Sequence, residues 1–326
     1  MGSLSFDEKI HYYEQMYFAH DKPVPFKGDL KIYPATVNDY YTFFSLISCY
    51  TVDKISDPNP ECISMSDLDY VFYLMQQGGI KGESFKTQFF SLLEMTFHIK
   101  NGMFCPNKLC KHKEVLTFDE IYEHLAKLKL EALETDNSEE SFEKSRAQYL
   151  ESIKVCPVCG QPMRDYICIL KREKGNFFDL YIGTEPIKRQ EYVEFKRIYC
   201  YQNILDYNDD YIDPELKDAL DEANKLRAGN TSQPSLERQE ACIVASTPYK
   251  FEELKNMTIR KFSLLLRVVD AKLQYQIAKT AESSGLVTFK GEIDHWIYTN
   301  NDVRKNRFKN IMSVDQVENK IGSAAK

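Results

Sequence analysis

Two cysteine pairs are the residues of this chain best placed to do chemistry. Cys105 and Cys110 are separated by four residues, Cys156 and Cys159 by two. Pro106 follows the first cysteine of one pair, and Pro157 and Gly160 shape the other, as a tight knuckle requires. Two such loops can converge on one tetrahedral ion, and an all-thiolate shell is a donor set of structural zinc. The sequence therefore predicts Zn2+ held by Cys105, Cys110, Cys156 and Cys159. That closed shell offers no open position to a substrate or an activated water. The competing reading is a redox dithiol, since Cys-x2-Cys also serves oxidoreductases. A second pair placed to share the same ion favours the metal. His98 and His112 flank the first pair and are expected to be exposed or to support it, with replacement of a cysteine ligand as the alternative.

Other constellations are sparse. Lys108, Lys111, His112 and Lys113 surround the first pair, and Arg164, Lys171, Arg172 and Lys174 follow the second. Such charges suit phosphate contacts, and Phe104 or Tyr166 could stack on a base or equally fill buried strand positions. The chain has no G-x-S-x-G elbow, no Walker loop and no H-E-x-x-H, so no catalytic or cofactor-binding residue is predicted. Asp294 and His295 are adjacent, and adjacent side chains point apart on a regular element. Asp206, Asp209, Asp210 and Asp213 lack the EF-hand order and suit a solvated loop.

The 326 residues suffice for a sizeable core, and 43% apolar with 28% charged residues is ordinary for a globular chain. Twenty-one Tyr and 20 Phe against one Trp point to packed helices or interfaces. A net charge of −7 disfavours a protein that coats nucleic acid. No apolar run approaches the ~20 residues of a membrane helix, and the first residues lack a secretory core. Gly2 invites myristoylation, but Phe6 stands where that motif needs Ser or Thr. Cys49, Cys62, Cys168, Cys200 and Cys242 show no paired spacing, which fits reduced thiols in a cytosolic setting.

These residues must be positioned by predicted elements along the chain. A helix is predicted over 5–19, ended by a polar stretch at 20–27. A strand follows at Leu30–Tyr33, and then a helix capped by Asn38 or Asp39. Ser66 and Asp69 suggest a capping box before the stripe Leu68, Val71, Phe72 and Met75. "GGIKG" at 78–82 is expected to be a loop, and "TFHIKNGMFC" a hairpin turning at Asn101-Gly102. Thr117 and Glu120 box the start of a helix to about Leu133, an acidic stretch follows, and another helix climbs towards Cys156. "DYICILK" and "FFDLYIG" are expected strands about a turn at "REKGN". Helices at 188–206 and 213–227 precede a linker at 228–235. A long helix then runs from Thr258 to Gly285 with Ile259, Phe262, Leu266, Val269, Leu273 and Ile277 on its apolar face. The tail from about 299 is polar.

Patches of the chain resemble a known family. "LKIYPATVNDYYTF" is similar to the short strand, Pro and helix that open the baseplate hub assembly proteins of T-even-type contractile-tailed phages. "MSDLDYVFYLM" resembles that family's Asp-x-x-Tyr-x-Phe helix, and a Cys pair after it also fits. "YKFEELKNMTIRKFSLLL" with "IDHWIY" is similar to late helices of tail-assembly proteins. The likeness covers 28–116 and 245–298. The charged insertion 117–155 and the second Cys pair depart from the pattern. The resemblance implies a non-enzymatic tail or baseplate protein, or an assembly factor, in the host cytoplasm or the virion. Its partners would be other tail proteins, with no membrane, nucleic acid or small-molecule substrate.

Taken together, the expected fold is α+β, mainly helical, with a central four-cysteine zinc-knuckle or ribbon module flanked by short antiparallel strands. Its expected segments are 1–95, 96–185 with the helical insertion 117–155, 186–298, and the tail 299–326. The rival function is a zinc-ribbon nucleic-acid-binding or regulatory protein.

Overall fold

Helix α1 (Phe6–Met16) begins at a full capping box: Ser5 Oγ accepts the Glu8 N–H at 3.3 Å, and the Glu8 carboxylate accepts the Ser5 N–H at 2.8 Å. The computed structural model describes residues 5–55, 57–77, 79–112, 114–134, 139–171, 178–207, 209, 234–285, 289, 293 and 295–298. The chain divides into two units, Met1–Ile204 with Asn256–Ile259, and Leu205–Lys255 with Arg260–Lys326. The mainly helical content and the short antiparallel strands agree with the expected class.

In the first unit a short hairpin, β1 (Val24–Lys27) and β2 (Leu30–Ile32), pairs Val24 with Ile32 and buries both. This hairpin begins inside 20–27, where the sequence predicts only a polar stretch. Pro25 donates no backbone hydrogen bond, yet it is tolerated in a sheet of two strands, where each strand is an edge. Helix α2 (Tyr40–Leu46) follows, and α3 (Asp67–Gln76) starts at Ser66, whose Oγ accepts the Asp69 N–H at 3.2 Å. The Asp69 carboxylate takes the Ser66 hydroxyl at 2.6 Å and both arms of Arg189 at 2.7 Å. Leu68, Val71 and Phe72 are buried as their spacing predicts.

Helix α4 (Ile80–Phe97) corrects two expectations. It starts inside "GGIKG", directly after Gly79, and it swallows the first strand of the expected hairpin. Phe89, Leu92, Leu93, Thr96 and Phe97 recur at helical spacing and are all buried, so packing overrides the glycines and the β-like composition. Helix α7 (Arg189–Asn203) presents Tyr192, Phe195 and Tyr199 to the same core. Phe195 lies edge-on to Tyr50 at 5.7 Å, to Phe97 at 5.2 Å and to Tyr192 at 5.2 Å. Thr96 Oγ1 donates to the Leu92 carbonyl at 2.7 Å, so the Tyr50 hydroxyl must be the donor in its 2.9 Å bond to Thr96.

Two small sheets carry the middle of the chain. One has the order β4-β3-β5, with β3 (Gly102–Phe104) between β4 (Leu116–Thr117) and β5 (Arg164–Asp165), all antiparallel. The other is the meander β6 (Ile167–Lys171), β7 (Phe178–Ile182) and β8 (Glu185–Ile187). Between β4 and β5 stand α5 (Phe118–Glu134) and α6 (Glu139–Ser152), which touch through His124 and Tyr149 at 4.1 Å between ring centres. The Thr117–Glu120 box opens α5 as expected, with bonds of 2.8 Å and 3.2 Å.

The segment Asn256–Ile259 counts with the first unit. The Val37 N–H bonds the Met257 carbonyl at 2.9 Å, the Ile259 N–H bonds the Ala35 carbonyl at 3.0 Å, and the Thr258 hydroxyl donates to Asp21 at 2.7 Å. The second unit contains α8 (Leu236–Ser246), α9 (Phe251–Lys255) and nearly all of α10 (Ile259–Ser283). Ile243, Leu254, Phe262 and Val269 are buried, while Leu273 and Ile277 of the expected apolar face are exposed. Gly285 takes a positive φ of 71°, as a helix-ending glycine does. The expected turn at "REKGN", the helix 213–227, most of the linker 228–235 and the tail 299–326 lie outside the described residues, as does Gly2. No described helix is long and apolar enough to cross a membrane.

Candidate metal centre

Each cysteine pair sits on a backbone turn that aims its sulfurs the same way. In the first, the Asn107 carbonyl accepts the Cys110 N–H at 3.0 Å and the Asn107 side chain accepts the Leu109 N–H at 3.0 Å. In the second, the Gly160 N–H returns to the Cys156 carbonyl at 2.9 Å and the Cys156 N–H reaches the Gln161 carbonyl at 2.8 Å. A bridge between Val155 and Pro162 closes its base. The pairing of β3 with β5, Met103 to Asp165 and Phe104 to Arg164, then brings the two turns together.

The result is one group of four sulfurs, all within 4.8 Å of one another. Cys105 and Cys159 stand 3.4 Å apart and Cys110 and Cys156 3.7 Å. A disulfide requires about 2.05 Å, so these are free thiols. A tetrahedron of sulfurs about 2.3 Å from a central ion has edges of roughly 3.8 Å, which the observed spacing approaches. Cys105, Cys110 and Cys156 are buried and Cys159 is half-buried, with Met163 packed beside them.

Backbone N–H groups face every sulfur: Asn107 at Cys105, His112 at Cys110, Val158 and Cys159 at Cys156, and Gln161 at Cys159. Hydrogen bonds of this kind favour thiolate over thiol. The Gln161 N–H brings the Cys159 pKa down to about 7. At Cys156 burial resists ionisation, but the Cys159 and Val158 N–H groups outweigh it and the pKa falls. At Cys110 the His112 N–H pulls down, and burial with the facing thiols of Cys159 and Cys156 prevails upward. Burial pushes Cys105 up to about 12. Four thiolates this close repel one another, and a cation among them removes the conflict. The donor set thus fits a metal ion. These N–H donors escaped the sequence reading, although a residue two places after each cysteine is the position from which a tight turn delivers one.

Neither histidine joins the sulfurs. His112 contributes its backbone N–H to Cys110 at 3.4 Å. His98 ends α4 in the left-handed region, φ 49°, and stacks on Tyr33 with ring centres 4.2 Å apart. Burial holds its pKa below the ordinary value. Among the described residues, the four cysteines are the one group of three or more side chains able to share an ion.

The basic residues around the knuckles are partly engaged. Lys108 lies 3.6 Å from Glu185. Arg164 donates to the Gly183 carbonyl at 2.8 Å and covers the rings of Phe104 and Tyr181. Phe104 is buried edge-on to Tyr166 at 5.1 Å. Lys113, Arg172 and Lys174 lie outside the described residues, as does the side chain of Lys171. Elsewhere, Asp206 forms an ion pair with Arg267, and His295 stands between Tyr275 and Trp296 at 5.0 and 5.4 Å. Asp294, Asp210 and Asp213 lie outside the described residues.

Comparison of the chain with models of protein families, with curated proteins and with solved structures returns no match.

Proposed function

We propose that this chain is a non-enzymatic assembly protein that acts through protein–protein contacts, with a structural zinc ion on Cys105, Cys110, Cys156 and Cys159. The observation that carries the reading is the closed sulfur cluster. All four donors are thiols, each meets backbone N–H groups, and a tetrahedral ion among them has its coordination complete. Such a centre fastens chain segments together. Zinc suits it better than a hard cation because soft thiolates select zinc or iron over magnesium or calcium.

The resemblance of 28–116 and 245–298 to baseplate hub assembly proteins supplies the partners: tail or baseplate proteins of a contractile-tailed phage, met in the host cytoplasm or in the virion. Exposed aromatic residues such as Tyr12, Tyr41 and Tyr122 offer adhesive surface for them.

Metal analysis of the purified chain should return about one zinc per chain. Co-expression with phage tail proteins should give a defined complex by sedimentation, and DNA should bind weakly at low salt and not at physiological salt. A chain that folds natively without metal would end the zinc reading. Tight DNA or RNA binding with a steep salt dependence, and no complex, would replace assembly by nucleic-acid recognition.

A further inference from the structure

The two cysteine turns carry more than metal ligands. Leu109 is 93% exposed, Val158 60% and Val155 46%. Single exposed aliphatics are ordinary, whereas a group of them marks a contact surface. Leu109 precedes Cys110, and Val155 and Val158 flank Cys156. The sulfurs of both turns lie within 4.8 Å of one another, so the three aliphatics stand on two turns that meet at the cysteine cluster. The backbone under two of them is held: Asn107 fixes the Leu109 N–H at 3.0 Å, and the bridge to Pro162 fixes Val155. A rigid apolar tip loses little freedom when it is covered.

The two turns themselves carry charged residues of one sign only. Residues 105–112 and 154–163 contain Lys108, Lys111 and Lys154 and no Asp or Glu, in a chain of net charge −7. Lys108 and Lys154 are paired with Glu185 at 3.6 Å and Glu151 at 2.8 Å. Their side chains are 69% and 59% exposed, and exposed pairs of this kind are weak enough to exchange for a partner's carboxylates. Nucleic acid fits less well: bases stack on aromatic faces, the tips are aliphatic, and Phe104 is buried against Tyr166.

We infer that the knuckle tips, Leu109, Val155 and Val158 with Lys108, Lys111 and Lys154, dock an acidic protein segment that carries an aliphatic anchor. The inference rests on the assembly reading and assigns it a surface and a partner chemistry.

The test uses the zinc-loaded full chain labelled with 15N. It is titrated with a short peptide alternating leucine and glutamate, with the same peptide carrying glutamine for glutamate, and with oligothymidylate. Amide shifts should be confined to 105–112 and 154–163. The glutamine peptide, and the chain with Leu109→Ser and Val158→Ser, should each bind about tenfold more weakly. Lys111→Glu supplies a second variant that leaves the apolar tip intact, and it should weaken the acidic peptide alone. Zinc content and melting temperature report whether each variant is folded. Shifts elsewhere, no shifts, equal binding of the glutamine peptide, or displacement of the peptide by oligothymidylate at the same amides would each overturn the inference. A tail-protein complex that forms equally with wild type and with the Leu109→Ser, Val158→Ser chain would remove the tips and leave assembly standing. Failure of the wild type to form any complex would fall on the assembly reading itself.

Discussion

Asp67 shows how single charges are used in the first unit. It lies in the first turn of α3, 3.2 Å from Lys54 and in an ion pair with Lys196, whose ammonium is also 5.9 Å from the centre of the Tyr192 ring. Burial by itself would raise the Asp67 pKa, but the two ammonium groups prevail and hold it below the ordinary value. A carboxylate depressed in the folded state adds stability that is complete above its unfolded pKa of about 3.9 and is lost as pH falls through the folded value. Lys196→Met keeps the apolar stem over Tyr192 and removes the charge. It should cost about 1 kcal/mol near neutral pH, the pair being partly exposed, and the deficit should shrink as acid neutralises Asp67. Urea titrations of both proteins across the acid range measure this. A deficit that stays constant through the carboxylate range would remove the ion pair as its cause.

At the scale of elements, local chemistry was legible in the sequence, and long-range pairing was not, apart from the meeting of the two Cys turns. The Thr117–Glu120 box, the Ser66 cap and the Cys turns are set by residues within five positions of each other, and each stands where its spacing put it. Asn101-Gly102 misled because its value is tertiary. The Asn101 side-chain oxygen accepts the N–H of Gly102 at 3.0 Å and of Ile167 at 2.9 Å, and its own N–H donates to Glu94 at 2.6 Å. One residue therefore ties α4, β3 and β6. Gly102 admits β4: a Cβ there would lie 2.2 Å from the Leu116 carbonyl oxygen and 2.6 Å from the Thr117 Cα, both backbone. Neither need is visible as a local pattern, since hairpin turns ask for the same two residues. Asn101→Ala leaves the buried Ile167 N–H without its acceptor and should cost about 1–3 kcal/mol. Gly102→Ala forces β3 from β4 and should cost about as much, roughly 1–3 kcal/mol. Hydrogen exchange should speed at Ile167 in the first variant and at Phe118, whose N–H bonds the Asn101 carbonyl, in the second. Unchanged protection at these amides would show that the joint is not made by these residues.

At the scale of the molecule, the metal and the sheet compete for one task. Residues 111–155 separate the two Cys turns, a loop of 45 residues. A covalent cross-link around a loop of that length withdraws about 4 kcal/mol of entropy from the unfolded chain. Here β3 and β5 already close the loop through Met103–Asp165 and Phe104–Arg164, and α5 packs on α6 within it. An ion on the sulfurs therefore adds only part of that sum, and its effect falls on the turns. The aromatic core around Tyr50, Phe97, Tyr192 and Phe195 comes from segments outside the loop. Chelation, or Cys159→Ser, should accordingly open 105–112 and 154–163 to protease while the main thermal transition moves little. The same cuts should appear on acidification, because thiols must shed protons to bind the ion, and zinc should be released in step with them. Cooperative loss of the whole first unit on chelation would mean that the ion, and not the β3–β5 pairing, closes the loop.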